Sequence, residues 1–279
     1  MKIAITGANG FIGINLLKHL STSSHNVNAI VRKKNHNIIL SKNIKYTIFD
    51  YKDSNSQTYS LLGKPDILIH LAWNNLDNYD SASHLNEELE TSYNFLEFMI
   101  NSGIKNILIA GTCFEYGMEE GLLSETKKTN PKNNYSESKN ILRKRLQEIK
   151  RIKNFKFTWM RIFYIYGNGQ NKKTIYSLLS EAIKRGDIKF NMSLGNQTRD
   201  YLHIKEVVKK ISTLAQINND NGIVNICSGK GKPIKLIVKE WIKYNNWKID
   251  LNLGHYPYNK NEPMHFWGNN EKYKELTKK

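Results

Sequence analysis

Residues 6–13 read TGANGFIG and lie between the short apolar run KIAIT at 2–6 and a segment of helical period at 11–20. Glycines recur at every third position, as Gly7, Gly10 and Gly13, where a strand gives way to a helix. Unpaired amides and the dipole of a helix N-terminus attract an anion at such a place. Gly7 would permit the turn, Gly10 the close approach of a pyrophosphate, and Gly13 the packing of helix on strand. The stretch predicts a dinucleotide-phosphate cradle; a glycine-rich turn without a ligand is the alternative.

Apolar runs typical of strands alternate with segments of helical period along the first part of the chain. The runs lie at 2–6, 27–31, 46–49, 66–71, 106–112 and 155–163, and the helical segments include 11–20, 85–100 and 136–152. Short strands that are apolar on both faces are typical of a parallel sheet covered by helices on both sides. The alternation therefore predicts an α/β fold with a Rossmann-like, doubly wound parallel sheet.

The pattern changes after Phe163, where glycines and asparagines interrupt shorter apolar runs. We expect residues 1–165 to form a dinucleotide-binding domain and residues 166–279 to form mainly a smaller C-terminal, substrate-binding lobe. RDYLHI at 199–204 and GIVNI at 222–226 resemble short strands, and we expect them to return to the main sheet.

The composition limits the class of protein. Cys113 and Cys227 are the only cysteines and lack metal-ligand spacing, so we expect no disulfide framework, no metal site and a cytoplasmic location. No run approaches the roughly 18 apolar residues of a membrane helix, and no signal peptide is evident. The formal charge of +17 would suit a nucleic-acid binder, but the lysines are dispersed along the chain. We expect the positive charges to lie on solvated helix faces or to create an electrostatic field that attracts anionic substrates. We expect neither a nucleic-acid nor a membrane partner.

The residues that follow the second strand indicate which dinucleotide would bind. Proteins that prefer NAD usually carry Asp or Glu about 20 residues beyond the glycines. Here Arg32, Lys33 and Lys34 follow the run VNAIV. A guanidinium binds a ribose 2′-phosphate through charge-assisted hydrogen bonds, whereas a carboxylate would repel it. The sequence predicts NADP(H), with Arg32 as the leading contact and Lys33 as the second; a basic surface turn is the alternative.

Five further motifs follow the glycine stretch in a fixed order: HLAW at 70–73, GTCFEYG at 111–117, YSESK at 135–139, RIFYIYGNGQ at 161–170 and RDYLHI at 199–204. Over the first four-fifths of the chain, this series resembles the extended short-chain dehydrogenase/reductases that act on nucleotide-activated sugars. The resemblance implies further cofactor contacts beside the glycines and basic residues: Asn9, Phe11, Ile12, Asp50, Tyr51, Leu71, Ala72 and Trp73.

Tyr135 and Lys139 lie four residues apart at the start of a helical segment, so their side chains share one face. A free phenol titrates near pH 10, and a neighbouring ammonium lowers that pKa, so Tyr135 can act as a general acid/base. Thr112, at the carboxyl end of its strand, can donate a hydrogen bond to a carbonyl or alkoxide oxygen. The resemblance implies a catalytic triad of Thr112, Tyr135 and Lys139, with Lys139 also on the nicotinamide ribose. A chance YxxxK on a surface helix is the alternative.

The residues after Thr112 discriminate among reactions. Related sugar 4,6-dehydratases carry an acid/base pair or a lone Glu there, whereas this chain has Cys113 and Phe114. Glu115 comes one position late and, by strand alternation, faces the other way, which disfavours a dehydratase. Epimerases retain NAD, which lacks the 2′-phosphate that Arg32 is expected to bind. The resemblance is nearest to 4-keto-6-deoxyhexose reductases of the paratose and abequose synthase type. It implies NADPH-dependent reduction at C4 of a nucleotide-linked 4-keto-6-deoxyhexose for surface polysaccharide.

Two alternatives to this reductase stay open at the level of the sequence. One is a 4-epimerase or another oxidoreductase acting on a nucleotide sugar. The other is a non-catalytic protein that senses a dinucleotide or binds nucleic acid through the basic charge.

The resemblance also places the substrate, a nucleotide-diphosphate sugar. Expected contacts are Cys113, Phe114, Tyr164, Arg199 and Glu262. Arg199 would hold the diphosphate or the ribose; a salt bridge with Asp200 or a nearby carboxylate is the alternative. A buried structural role is favoured for Cys113 over that of a second acid. His70 and His203 are likewise expected to be structural.

Relatives form homodimers through two helices, which here correspond to residues 85–100 and 136–152. The resemblance therefore implies a homodimer. For the basic segment that includes Arg143, we expect acidic partners on the second subunit, namely Glu87, Glu88 and Glu90.

Overall fold

The computed structural model describes residues 1–33, 39–217, 219–259 and 262–278. Its strands are β1 (Lys2–Thr6), β2 (Asn26–Val31), β3 (Ile44–Ile48), β4 (Ile67–His70), β5 (Asn106–Thr112), β6 (Gly121–Leu123), β7 (Lys156–Ile162), β8 (Tyr164–Tyr166), β9 (Lys189–Met192), β10 (Thr198–Arg199), β11 (Tyr201–His203), β12 (Gly222–Ile226), β13 (Lys232–Pro233), β14 (Asp250–Leu253) and β15 (His265–Gly268). Its α-helices are α1 (Phe11–Leu20), α2 (Thr58–Leu61), α3 (Leu89–Asn101), α4 (Asn134–Ile152), α5 (Ile175–Arg185), α6 (Ile204–Gln216), α7 (Ile234–Tyr244) and α8 (Glu271–Thr277).

The central sheet comprises seven strands within the described residues, in the order β3, β2, β1, β4, β5, β7 and β12. All neighbouring pairs in it are parallel. The order reverses beside β1, where β2 and β4 leave in opposite directions, and that reversal opens a crevice at the carboxyl ends of the strands. The predicted fold class, a doubly wound α/β sheet, is confirmed.

Helices cover both faces of this sheet because its strands are apolar on both sides. On one face α1 and α6 pack through residues such as Leu16, Leu17 and Ile211. On the other face α3 and α4 pack through Phe95, Leu146 and their neighbours. None of the helices among the described residues has the length and apolar character needed to cross a membrane.

The later strands divide between the main sheet and a second layer. GIVNI forms β12 and pairs with β7 in the main sheet. The expectation that residues 199–204 also join the main sheet is wrong. β11 pairs with β8, and β10 lies between β13 and β15. Each of these strands has only two to four residues. The sheet that such a short strand joins is decided by its partners, which come from distant parts of the chain.

Two of the three acidic residues expected to meet a second subunit, Glu88 and Glu90, are engaged within one chain. Arg145 and Glu90 form a salt bridge with an N···O distance of 2.6 Å. Glu88 is buried and accepts a hydrogen bond from the Tyr51 hydroxyl. Arg143 is also buried and donates to Asn140. Glu88, Glu90 and Arg143 thus have partners within one chain, and the proposed charge pairing across a two-fold axis is corrected for these three residues.

Candidate functional site

The glycine turn connects β1 to α1 at the crevice. Gly7 has φ +67°, and a Cβ there would lie 2.7 Å from the Ala72 backbone nitrogen. A Cβ on Gly13 would lie 2.2 Å from the Gly7 carbonyl oxygen, so the helix could not pack as closely. Gly10 is the N-cap of α1, and no side chain caps the helix. Among the described residues, a Cβ on Gly10 would meet only the Gly7 carbonyl oxygen, 3.1 Å away. The amides of the first helical turn thus border open space where an anion fits.

The remaining residues expected to contact the cofactor surround this turn. The half-buried ones lie after β1 and after β4: Asn9, Phe11, Ile12, Leu71, Ala72 and Trp73. His70 ends β4 inside the core, with its Nδ1 atom 2.8 Å from the Thr6 hydroxyl. Burial, and then the charge of Lys139, lower the pKa of His70 to about 3. His70 is therefore neutral and ties the ends of β1 and β4 together.

The basic residues after β2 stand at the outer edge of the crevice. Arg32 and Lys33 are exposed, and the Asn9 side chain donates a 3.1 Å hydrogen bond to the Lys33 carbonyl oxygen. Lys34 lies outside the described residues. This contact holds the basic turn against the glycine turn.

Asp50 and Tyr51 follow β3 but point in different directions. Asp50 stays partly exposed and its side chain accepts a hydrogen bond from the Lys52 amide. The Tyr51 ring is buried, and its hydroxyl donates to Glu88 at 2.8 Å. Of the two expected cofactor contacts, only Asp50 has a partly exposed side chain, because Tyr51 is buried and its hydroxyl is already bonded inside the protein.

The structure brings Thr112, Tyr135 and Lys139 together at the carboxyl end of β5. The Thr112 side chain lies close enough to the Tyr135 hydroxyl for hydrogen bonding to lower the pKa of the phenol. Lys139 is buried, and its Nζ atom donates to the Ala110 carbonyl oxygen at 2.9 Å. The same ammonium lies 3.7 Å from the centroid of the Trp73 ring, a cation–π contact. Tyr135 and Lys139 of α4 thus both contact residues of β5.

The electrostatics of this group differ in one respect from the sequence argument. Burial, followed by nearby Tyr79 and Glu115, raises the pKa of Tyr135 well above its ordinary value, against a smaller lowering by the Thr112 hydrogen bond. Burial also lowers the pKa of Lys139 to about 7. The expected net lowering of the phenol pKa by Lys139 is not realised, because burial outweighs it and the ammonium contacts Ala110 and Trp73. Tyr135 is therefore a protonated donor at neutral pH.

The local sequence explains where α4 begins. Asn133 caps the helix by accepting a hydrogen bond from the Ser136 amide at 2.8 Å. Leu142, Leu146 and Ile149 lie along one stripe and pack on the sheet, which fixes the rotation of the helix. The first two turns, with Tyr135 and Lys139, consequently face the end of β5.

A cavity of about 520 Å³ lies beside this group. The ring of Phe114 meets the ring of Tyr79 at 5.4 Å and that of Tyr164 at 5.8 Å between centroids. Three residues from the set expected to contact substrate line this cavity, Phe114, Tyr164 and Glu262, together with Tyr79, Asp80, Gly117, Met118, Lys132, Asn133, Asn259, Pro263 and Phe266. The lining combines aromatic and polar side chains, which suits a sugar.

Arg199 and Glu262, both expected at the substrate, bind each other. The Arg199 guanidinium donates to Glu262 at 2.8 Å and to the Thr198 carbonyl oxygen at 3.0 Å. Arg199 is 1% exposed, whereas the Glu262 side chain is 43% exposed. The salt-bridge alternative is thus realised with Glu262, while Asp200 accepts hydrogen bonds from the Ser228 and Gly229 amides.

Cys113 and Glu115 both turn into the protein. Cys113 packs with Phe163, Cys227 and Phe266, and burial raises the pKa of its thiol. Cys113 is buried and is not among the residues that line the cavity. Residues Cys113–Tyr116 form a 3₁₀ turn rather than a strand, so the expected strand alternation does not apply. The Glu115 side chain is still buried inside the protein, where it accepts a hydrogen bond from Trp159 at 2.8 Å.

Three residues of this neighbourhood were missed by the sequence argument: Tyr79, His84 and Glu88. Tyr79 lies in the polar loop after HLAW, which has no pattern that singles it out. Glu88, Ser92, Phe95 and Met99 fall on one buried helical stripe, so a carboxylate in that stripe was the available signal for Glu88. The backbone at His84–Glu88 is a π-helix, a local widening that is frequent at functional sites.

Fold and site together define an oxidoreductase of the short-chain dehydrogenase/reductase class with a dinucleotide crevice. Residues 3–227 match the model of the NAD dependent epimerase/dehydratase family, and the chain belongs to this family. It is 32% identical to the dTDP-6-deoxy-L-talose 4-dehydrogenase (NAD(+)) of Aggregatibacter actinomycetemcomitans, over 96% of this chain and 99% of that protein. It is 25% identical to the GDP-6-deoxy-D-talose 4-dehydrogenase of the same organism, over 83% of this chain and 76% of that protein.

A solved structure shares the fold over the whole chain. It is the UDP-N-acetylglucosamine 4-epimerase from Methanobrevibacter ruminantium M1 in complex with UDP-N-acetylmuramic acid. The TM-score is 0.87 at 20% sequence identity, with 100% of this chain and 92% of that chain covered.

Proposed function

We propose that this protein works in the cytoplasm as an NADPH-dependent reductase of the C4 keto group of a nucleotide-linked 4-keto-6-deoxyhexose, in the synthesis of sugars for surface polysaccharide. The observation that carries the proposal is the convergence of Thr112, Tyr135 and Lys139 between the glycine turn and the cavity lined by Phe114 and Tyr164. The similar dTDP-6-deoxy-L-talose 4-dehydrogenase supports it, since oxidation at C4 of a 6-deoxyhexose is the same transformation in the opposite direction.

Each group has a role in this mechanism. The bound dinucleotide would supply the hydride. The amides after Gly10 would bind its pyrophosphate, and Lys139 would leave Ala110 to hold its nicotinamide ribose. Thr112 would donate a hydrogen bond to the C4 oxygen and orient the keto group. Tyr135 would transfer its phenolic proton to the C4 oxygen as negative charge develops there. With its pKa raised, the Tyr135 phenol is protonated at neutral pH, the form that donates a proton in the reductive direction.

The side chains after Thr112 support reduction over elimination of water. A dehydratase needs a group that shuttles a proton at C5 and C6, and Cys113 and Glu115 are both buried and do not line the cavity. Phe114, the one of the three that lines the cavity, has no proton to give. The cavity therefore offers no acid/base pair after the triad hydroxyl among the residues the structure describes.

The decisive experiment is incubation of the pure protein with NADPH or NADH and with 4-keto-6-deoxyhexoses linked to dTDP, CDP, GDP and UDP. We expect loss of the reduced-nicotinamide absorbance with one of these sugars and a 6-deoxyhexose as the product. A 4-epimerase would instead retain its dinucleotide through purification and interconvert two sugars without net oxidation of added cofactor. Absence of turnover with every sugar in the set would contradict the proposal.

The choice of NADPH depends on the basic turn after β2. We expect Arg32→Asp to lower the preference for NADPH over NADH by about 30-fold or more, since a charge-assisted hydrogen bond contributes roughly 1.5–3 kcal/mol and the new carboxylate adds repulsion. Steady-state kinetics with both cofactors measure this ratio. Arg151→Asp, at an arginine whose side chain is 74% exposed on α4, is the control for a change in overall charge.

Two results would contradict this cofactor assignment. An unchanged ratio in Arg32→Asp would show that another residue binds the 2′-phosphate. A preference of the wild type for NADH, the result that the NAD(+) in the relative's name favours, would remove the argument for NADPH while leaving C4 reduction intact.

A homodimer through α3 and α4 belongs to the same proposal. Tyr93 and Phe98 of α3 are only half-buried in the single chain, and Ile152 at the end of α4 is 80% exposed. Burial of these apolar groups against a second copy would stabilise a dimer. Light scattering at micromolar concentration should give twice the monomer mass, and a monomeric mass would contradict the expectation.

A further inference from the structure

His84 is a fully buried histidine that joins two segments of the site. Its Nδ1 atom lies 3.0 Å from the indole Nε1 of Trp73, and its Nε2 atom lies 2.9 Å from the carbonyl oxygen of Asn78. The indole N–H can only donate and the carbonyl can only accept. Both bonds therefore require the neutral imidazole with its proton on Nε2. The neutral imidazole thus accepts from the indole on one side and donates to the carbonyl oxygen on the other.

The first of these bonds leads to Lys139. Trp73 lies with its ring 3.7 Å from the Lys139 ammonium, and its ring also meets the Tyr135 ring edge-on at 6.2 Å between centroids. A tryptophan ring that rotated about its side-chain bonds would leave the ammonium without this contact. The hydrogen bond to His84 fixes the rotation of the indole and so the surface on which Lys139 rests.

The second bond leads to Tyr135 itself. Asn78 precedes Tyr79, whose carbonyl oxygen accepts a 2.9 Å hydrogen bond from the Tyr135 amide. The Tyr79 ring stacks on the Tyr135 ring at 5.1 Å and 21°. The Asn134 side chain donates to the Asp80 carbonyl oxygen at 2.8 Å. The loop held by His84 is thus the loop that covers the phenol ring of Tyr135.

The π-helix sets this histidine in place. His84 is its first residue and Glu88 its last, and Glu88 accepts a hydrogen bond from the Asn74 amide at 3.1 Å. The two ends of the π-helix therefore hold consecutive residues, Trp73 and Asn74, of the segment that follows β4. In an ordinary α-helix the side chains of His84 and Glu88 would point at a different angle to each other. The wider π-helical turn gives the angle at which they contact Trp73 and Asn74.

We propose that His84 is a positioning residue, which holds Trp73 against Lys139 and the Tyr79 loop against Tyr135 so that proton donor and ammonium keep their relative position during turnover. This role rests on the proposed function, in which Tyr135 is the acid. A buried histidine that served packing alone would need neither of its two hydrogen bonds for turnover.

The test compares His84→Phe with His84→Gln. Phenylalanine keeps a ring but makes neither bond, whereas glutamine offers both an acceptor and a donor. We expect His84→Phe to lower kcat by about tenfold or more while the Kd for NADPH changes by less than about threefold, since displacement of a catalytic group costs far more in rate than in binding. His84→Gln should recover part of the lost kcat. Rates are expressed per NADPH-binding site, so that misfolded protein does not enter them.

Two further variants keep the test informative if His84→Phe folds poorly. Tyr79 is 40% exposed on a loop, so Tyr79→Ala should fold and should lose kcat in the same way. His203→Phe is the matched control: His203 caps α6 through its Nδ1 atom, so its loss should lower stability without lowering kcat per site. Unchanged kcat per site in His84→Phe and Tyr79→Ala would overturn the proposal.

A separate measurement distinguishes this inference from the proposed function. If the wild type reduces none of the sugars, the proposed function fails, and positioning is then judged from the ultraviolet titration of Tyr135. Burial raises the pKa of Tyr135, and loss of the covering loop should bring that pKa down into the accessible alkaline range in His84→Phe. The added titration should vanish in His84→Phe with Tyr135→Phe. No added titration would overturn the positioning role.

Discussion

Tyr135→Phe is expected to lower turnover of the 4-keto sugar by roughly 10²–10⁴-fold, the usual contribution of a positioned general acid. The ring remains, so its stacking on Tyr79 and its edge contact with Trp73 should persist. Only the proton donor is lost, together with the hydrogen bond to Thr112. The affinity for NADPH should therefore stay within about threefold of the wild type, and the loss should fall on kcat.

Tyr116→Phe is the matched control for this change. Tyr116 is also buried, and its hydroxyl donates to Asn225 at 2.8 Å, but it lies outside the cavity and the triad. Its loss should lower stability by about 1 kcal/mol, the net contribution of one hydrogen bond, and leave turnover intact. Stopped-flow or steady-state absorbance assays on both variants measure the difference. Wild-type turnover in Tyr135→Phe would show that another group supplies the proton.

The sequence predicted those parts of the molecule that follow from local patterns. Doubly buried parallel strands are nearly continuous apolar runs, so β1, β2, β4 and β5 were recognisable without knowledge of their partners. The glycine turn was predictable because Gly7 adopts a positive φ and Gly13 has no room for a Cβ, which are requirements of the backbone itself. The spacing of Tyr135 and Lys139 on one helical face was likewise a local property.

The remainder depended on contacts between distant residues. Arg199 and Glu262 lie 63 positions apart in the chain, and no pattern in either segment predicts that they bind each other rather than a ligand. The short strands β10 and β11 pair with strands whose position is decided by the packing of the second layer. The partner of Lys139 was missed for the same reason, because the Trp73 ring reaches it from the end of another strand.

Glu115 shows how one such distant contact supports the site. Its carboxylate is 0% exposed and accepts hydrogen bonds from Trp159 at 2.8 Å, from Arg161 at 2.9 Å and from the Thr112 amide at 3.0 Å. Arg143 lies 3.5 Å away on α4, with its side chain 9% exposed. One carboxylate therefore balances two guanidinium groups inside the protein and joins β5, β7 and α4 directly beneath Thr112.

Glu115→Gln should accordingly destabilise the protein by about 3–5 kcal/mol, the cost of breaking a buried ion pair and leaving the other charges without a partner. Such a loss is a large share of the roughly 5–15 kcal/mol that stabilises an ordinary domain. Urea denaturation of the wild type and the variant measures the free energy of unfolding. Glu90→Gln is the control, since Glu90 is half-exposed and its pair with Arg145 should contribute at most about 1 kcal/mol.

The position of Glu115 beneath Thr112 gives this variant a second expected effect. The carboxylate and Thr112 cap the same 3₁₀ turn reciprocally, so removal of the charge loosens the residue that shares a hydrogen bond with Tyr135. At a temperature where the variant is still folded, kcat should fall as well, whereas a cluster that served stability alone would leave kcat unchanged. A free energy of unfolding within about 1 kcal/mol of the wild type would show that Arg161 and Arg143 find water or other acceptors, and the carboxylate would not be the centre of this network.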